Sequence, residues 1–189
     1  MAKEVLLHSC CAPCSSAIIE WMLHNDVHPT IFYCNPNIFP QEEYLIRKTE
    51  ITRYAQKLGL TLIDDDYNHE AWHDYIEGYE GEPERGVRCL LCFKYRLLQT
   101  AQKCIDLGIA EFTTTLASSR WKRLDQINEA GLWAAKQVGG GVVFDTRNWR
   151  KGGLQERRNQ LLKENNFYNQ LYCGCEYSCR GLTLPNVQD

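Results

Sequence analysis

Seven cysteines fall in three clusters: Cys10-Cys11-Ala12-Pro13-Cys14, Cys89-Leu90-Leu91-Cys92 and Cys173-Gly174-Cys175. They stand near the start, middle and end of the chain, so only tertiary structure can bring them together. Cys89 and Cys92 have the spacing that lets two thiolates chelate one ion or cluster. Gly174 gives the backbone between Cys173 and Cys175 freedom to turn. Cys14 opens a helix-like segment, where the positive end of the helix dipole stabilises a thiolate. Neighbouring side chains on extended backbone point to opposite sides, so Cys10 and Cys11 are expected to serve different metals, or one metal and one substrate.

Seven thiolates exceed the four ligands of a structural zinc ion. They suit an iron–sulfur cluster beside a second site of about three thiolates, completed by a carboxylate or water. A zinc ribbon, as in a zinc-stabilised RNA-binding module, needs a second C-x2-C knuckle that the sequence lacks. Cys11-Ala12-Pro13-Cys14 also has the pattern of a thiol–disulfide oxidoreductase, with Cys11 and Cys14 as its dithiol. Cys10 and the two distant clusters, which such an enzyme does not need, argue against that alternative. Of the other cysteines, Cys104 shares a helical stripe with Leu97, Leu98, Ala101 and Ile105 and reads as core. Cys34 ends a strand and reads as core or as a neighbour of the site; Cys179 is a weaker candidate ligand.

The elements that must position these thiols alternate. Short strands are expected at Val5-Leu6-Leu7, Thr30 to Cys34, Leu60 to Ile63, Glu111 to Thr115 and Val142 to Phe144. Helices are expected from Ser15 to Leu23, Gln41 to Leu58, Phe93 to Leu107, Leu124 to Val138 and Leu154 to Glu164, with a short helix and a loop in the acidic stretch between Tyr67 and Arg88. The second helix carries a stripe of Tyr44, Leu45, Ile51, Tyr54, Ala55 and Leu58. Alternation of this kind predicts an α/β class: a single domain over 1–189, with a mostly parallel five-stranded sheet and helices on both faces. Ligands bind beyond the carboxyl ends of such strands. His8 to Cys14, Cys34 to Asn37, Asp64 to Asp66, Leu116 to Arg120 and Asp145 to Arg147 all fall there.

No stretch approaches the about 20 apolar residues that span a membrane, and Met1-Ala2-Lys3-Glu4 has no signal-peptide layout. A cytoplasmic protein is expected, and in that compartment its ten cysteines point to metal or redox chemistry rather than a disulfide framework. The net charge of −3 excludes a generic polyanion binder. Charge is nevertheless segregated: nine acids and no Lys or Arg lie from Asp64 to Glu84, and six Lys/Arg with one acid from Arg147 to Lys163.

Several of these motifs together resemble the QueH-type epoxyqueuosine reductases. They are His8-x-Cys10-Cys11-Ala12-Pro13-Cys14, Tyr33-x-Asn35-Pro36-Asn37-Ile38, Arg88-Cys89-x-x-Cys92-Phe93, Thr114-Thr115-Leu116 and Tyr172-Cys173-Gly174-Cys175-x-Tyr177-Ser178. They keep the family's order over nearly the whole chain. Ser118-Ser119-Arg120 stands where the family often has Ser-Pro.

The resemblance implies a scaffold like that of PP-loop and other adenine-nucleotide α-hydrolase-like proteins, with the C-terminal segment folding back over the site. It implies a 4Fe–4S cluster and an adjacent mononuclear metal, iron or, in a purified sample, zinc. The substrate would be epoxyqueuosine at the wobble position of a tRNA, and the last step of queuosine synthesis would be done without cobalamin. Electrons would come from a ferredoxin- or flavodoxin-like donor. No glycine-rich phosphate loop follows the first strand, so ATP use is not expected.

On this reading all seven clustered cysteines are metal ligands, with Cys10, Cys11, Cys89 and Cys92 toward the cluster. Cys11, Cys14 and Asp64 are the expected catalytic residues, and Asp65, Asp66, Glu82 and Glu84 further candidate ligands or proton donors. His8 could support a ligand or simply fill the core. Single-stranded RNA is read by stacking and backbone charge. Arg120, Trp121, Lys122 and Arg123 form one basic, aromatic cluster, and Arg147, Trp149, Arg150, Lys151, Arg157 and Arg158 another. Arg120, Lys122, Arg150 and Lys151 are the expected RNA contacts; Tyr33, Asn35 and Asn37 are expected to touch the modified base.

Overall fold

The computed structural model describes residues 3–179. Met1, Ala2 and residues 180–189, with the parts of the N-terminal and domain readings that depend on them, lie outside the described residues. The elements run β1 (Lys3–His8), α1 (Ala12–His24), β2 (Val27–Tyr33), α2 (Gln41–Leu58), β3 (Leu62–Asp64), α3 (His69–Tyr75), α4 (Val87–Leu107), β4 (Glu111–Thr114), α5 (Leu124–Val138), β5 (Val143–Phe144) and α6 (Leu154–Glu164), with single 3-10 turns at Thr115–Ser118 and Glu176–Ser178. All five strands are parallel, in the order β3-β2-β1-β4-β5.

β1 is central because Val5, Leu6, Leu7 and His8 are buried in succession, as a strand covered on both faces requires. Leu6 pairs with Thr30 of β2 on one side and Phe112 of β4 on the other. Right-handed crossovers fix where the helices go. The chain steps from β1 through β2 to β3 in one direction, which places α1 and α2 on one face. It then returns to β4 and moves on to β5 in the opposite direction, which places α4 and α5 on the other. α1 accordingly packs on α2 and α6, and α4 on α5 and α3. The order reverses between β1 and β4, and that switch point opens a crevice at their carboxyl ends.

Three boundaries differ from expectation in ways that matter for the site. α1 starts at Ala12, not Ser15, because Pro13 in a first turn forfeits no helical hydrogen bond. α4 starts at Val87 rather than Phe93, so Cys89 and Cys92 are helical residues one turn apart and not part of a loop. Glu82 helps begin this helix by accepting the Val87 N–H at 3.3 Å. In α2 the stripe is also different: Leu45 is 48% exposed, and Glu43 and Arg47 occupy buried positions instead. Gly59 and Gly108 end α2 and α4 in left-handed backbone, at φ 67° and 68°. No helix among the described residues is long and apolar enough to cross a membrane.

Candidate metal centre

Cys10, Cys11 and Cys14 converge at the end of β1. Their three sulfurs lie within 4.8 Å of one another, and Cys10 Sγ is 3.8 Å from Cys11 Sγ. The expectation that Cys10 and Cys11 diverge is therefore incorrect. Alternation holds along a strand, but β1 ends at His8 and the backbone turns into α1 at Ala12, so the intervening residues are free to point inward together. Thr115, just past β4, holds Cys10 from both ends: its Oγ1 accepts the Cys10 N–H at 3.0 Å and donates to Cys10 Sγ at 3.2 Å.

Hydrogen bonds from Cys11 and Cys14 hold the Cys10 thiol well below its ordinary pKa. Burial pushes Cys11 up, and the hydrogen bond with Cys10 raises Cys14 to about 12. A buried, raised Cys11 is the opposite of the exposed, low-pKa nucleophile that a thiol–disulfide oxidoreductase requires.

The other four thiols, Cys89, Cys92, Cys173 and Cys175, influence one another's charge but do not converge as the trio does, which is the one such tight group among the described residues. Cys89 and Cys92 lie in the first two turns of α4, three residues apart and so on one helical face. Cys92 packs with Cys175, Trp72 and Tyr177. Burial raises Cys89, Cys92 and Cys175, and negative charge on their neighbours adds to it: Cys173 acts on all three, and Cys175 on Cys89. The tail reaches this position along α2. Arg47 Nη1 and Nη2 donate to the carbonyls of Cys173 at 3.1 Å and Tyr172 at 3.3 Å, while its Nε is held by Glu43 at 2.8 Å. Phe39 N–H donates to the Gly174 carbonyl at 2.8 Å.

A cavity of about 680 Å³ joins the sets, and Cys10, Cys14, Cys89, Cys173 and Cys175 line it. Arg47, Arg96 and Lys122 are among the cations that border it. Burial opposes the charge of Arg47, Arg96 and Lys122, but neighbouring thiolates outweigh it and raise all three. Lys122 responds to Cys173 as well as to Cys10 and Cys14, so it faces both sets. Thiolate donors gathered at tetrahedral-edge spacing among cations fit a soft or borderline metal; hard magnesium or calcium would call for oxygen donors.

Arg120, Trp121, Lys122 and Arg123 also border the cavity. Trp121 is 69% exposed, with the Arg120 guanidinium 5.2 Å above its ring. Asn35 and Asn37 line the cavity too. Both ends of Asn35 are engaged, by the Ser9 carbonyl at 2.8 Å and by Arg96. Asn37 Oδ1 is buried and has no hydrogen-bond partner among the described residues.

Tyr33 is fully buried and donates to the Tyr44 carbonyl at 3.0 Å, so it cannot touch a substrate; its strand-end position placed it in the core instead. Asp64 is engaged by Lys48 and by Tyr44 Oη at 3.0 Å, and it does not line the cavity. Glu84 does. Arg150 and Lys151 also lie off the cavity lining, and Arg150 instead donates to the Lys122 carbonyl at 2.7 Å. Arg157 is bound to Glu20 and Glu164, and Trp149 is buried beside Trp21.

His8 is a satisfied core residue, hydrogen-bonded to Thr114 Oγ1 at 2.8 Å and the Cys34 carbonyl at 2.9 Å. Burial and the nearby Arg96 lower its pKa to about 3. Cys34 and Cys104 are fully buried in the core, and Cys179 donates to the Glu176 carbonyl at 2.9 Å.

Sequence reasoning missed Arg47, Arg96 and Gln170. The two arginines interrupt apolar helical stripes, and a cation at a core position was the signal that could have found them. Gln170 had no such signal.

The family model described as "Epoxyqueuosine reductase QueH" matches residues 5–181. The chain belongs to the QueH family. Among curated proteins named epoxyqueuosine reductase QueH, that of Histophilus somni is 47% identical over 178 residues, covering 94% of this chain and 73% of the relative. That of Acinetobacter baylyi is 44% identical, covering 95% and 82%. The Thermotoga maritima protein is 34% identical, covering 92% and 89%. Membership in the QueH family makes the chain an oxidoreductase of queuosine biosynthesis, and its converging cysteines are compatible with metal binding.

Proposed function

We propose that this chain reduces epoxyqueuosine to queuosine in a tRNA anticodon loop, at a cavity walled by two separate sets of thiolates. The observation that carries this reading is the convergence of Cys10, Cys11 and Cys14 at a cavity that Cys89, Cys173 and Cys175 also line. The four-thiol set has the ligand number of a 4Fe–4S cluster, and the three-thiol set would hold the mononuclear metal. Together these groups would supply single electrons and Lewis acidity for removing the epoxide oxygen.

The overall change takes up two electrons and two protons, converts the epoxide to an alkene and releases water. The protein's own part is to bind, orient and protonate. Lys122 Nζ, kept charged by thiolates from both sets, presents a proton-bearing cation to the cavity where negative charge on oxygen would develop. Asn37 Oδ1 offers a free acceptor to a hydroxyl or amine of the modified base. Exposed Trp121 offers a stacking surface for a neighbouring base, and Arg120, Arg123 and Arg158 on the cavity lining meet its phosphates. An electron donor, ferredoxin- or flavodoxin-like, completes the cycle.

The test is single-turnover reduction of epoxyqueuosine-containing tRNA by anaerobically purified, iron-loaded protein and a chemical reductant. Queuosine should form in proportion to loaded protein. Iron-loaded protein that leaves epoxyqueuosine intact would refute the assignment.

A further inference from the structure

We propose that the indole N–H of Trp72 donates a hydrogen bond to the sulfur of Cys92 and so raises the reduction potential of the iron–sulfur cluster. The proposal rests on the reading of Cys92 as a cluster ligand. Trp72 is only 1% exposed. It sits in a small core of its own with Ile76, Cys92 and Cys175, against which Leu91, Tyr95 and Tyr177 pack. A tryptophan in such a place differs from a phenylalanine in carrying a donor, and a buried donor left without an acceptor is costly.

Among the described residues no oxygen or nitrogen accepts from Trp72 Nε1. Tyr177 Oη, in the same core, is engaged with His73 Nε2 at 3.2 Å. That leaves sulfur. Burial raises the Cys92 pKa, and Arg96 and a hydrogen bond from Trp72 act against it. Other thiols of the site are met in the same way. The Arg85 backbone N–H donates to Cys89 Sγ at 3.3 Å, Thr115 Oγ1 to Cys10 Sγ at 3.2 Å and Gln170 Nε2 to Cys11 Sγ at 2.7 Å.

The indole is also held in place. Asn68 caps α3 by accepting the Ala71 N–H at 3.0 Å. His69 stacks on the ring with centroids 5.3 Å apart, and its Nδ1 is anchored to the Pro36 carbonyl at 2.7 Å. The Tyr177 ring packs on the indole at 6.5 Å. A donor fixed in this way needs no reorganisation when the charge on its acceptor changes. Reduction adds negative charge to a cluster and its cysteine sulfurs. A hydrogen bond to such a sulfur is stronger in the reduced state, and burial keeps it from being screened, so the bond favours reduction. Trp72 thus acts through Cys92 rather than on the substrate.

The experiment is an anaerobic redox titration of the full-length, cluster-loaded chain, followed by visible absorption and by the electron paramagnetic resonance of the reduced cluster. The variants are Trp72→Phe, which keeps an aromatic ring and removes the donor, and Cys92→Ala. Trp72→Phe should hold wild-type iron and sulfide. Its ratio of reduced to oxidised cluster at a fixed potential should fall about tenfold, a drop of about 59 mV for one electron. Looser packing that admitted water would instead stabilise the more negative reduced cluster and raise the potential. An unchanged or raised potential would overturn the proposal. A second measurement needs no change at Trp72. With isotopically labelled indole nitrogen, the reduced cluster should show a nitrogen hyperfine coupling that persists in Trp121→Phe, which removes the tryptophan on the cavity lining. Absence of that coupling would overturn the proposal. Cys92→Ala should lose the cluster. Full iron and sulfide in Cys92→Ala would overturn Cys92 as a ligand, and the proposal with it; loss there beside an unchanged potential in Trp72→Phe would overturn the proposal alone.

Discussion

At the residue scale, the decisive feature is that adjacent cysteines converge, with Cys10 Sγ 3.8 Å from Cys11 Sγ. Hydrogen bonds from its two neighbours and from Thr115 lower the pKa of Cys10, whereas burial raises Cys11 and the hydrogen bond with Cys10 raises Cys14. Thr115→Val removes the hydroxyl that both orients and donates to Cys10, at nearly constant volume. Its expected effect is a loss of about tenfold in metal affinity at the trio, with the four-thiol set unchanged, read by competition with a chelator. Gly174 makes a second prediction at this scale. Its φ is 131°, and a Cβ there would sit 3.1 Å from Ile38 and 3.2 Å from the Arg47 guanidinium. Gly174→Ala should therefore cost about 1–3 kcal/mol through backbone strain and lower iron retention, measurable as a reduced denaturation midpoint and iron content.

At the element scale, the strand ends do the positioning. His8 joins β1 to β4 and to the residue after β2 through Thr114 and Cys34. Its folded pKa of about 3 lies below its ordinary 6.5, so its contribution to stability is complete above pH 6.5 and declines as pH falls toward 3. The expected slope is about 1.4 kcal/mol per pH unit across that window. Urea unfolding of the metal-free, reduced protein at pH 7 and pH 5 checks it, and His8→Gln should flatten the difference.

Much of this scale was legible in the sequence. α2, α5 and α6 span the residues expected, and Gly59 and Gly108 stop α2 and α4 as expected, because a helix ends where the backbone can turn left. The start of α4 was not legible, since the cysteine pair looked like a metal knuckle and its helical caps come from the preceding loop. Nor was the Arg47 clamp, which joins residues 126 positions apart in sequence. The thiols themselves were legible; their grouping was not, because it depends on the turn after β1 and on the path of the tail.

At the scale of the whole molecule, an acidic chain presents a basic, aromatic cavity mouth. Arg120, Trp121, Arg123 and Arg158 lie on the cavity lining, while Arg150 and Lys151 do not. Charge reversal at Arg120 together with Arg158 should weaken tRNA binding and lower the steepness of its salt dependence by about two phosphate contacts. Lys151→Glu should change both much less. Trp121→Ala should weaken binding by about 1–3 kcal/mol without altering the salt slope, as loss of one stacked base does.

The central claim is that the seven thiols form a set of four and a set of three. Iron and acid-labile sulfide content of the anaerobically purified protein tests it most directly, in wild type, Cys89→Ser and Cys11→Ser. Cys89→Ser should lose the sulfide and about four irons, while Cys11→Ser should keep the sulfide and lose about one metal ion. Loss of sulfide from both variants to the same extent would contradict the division.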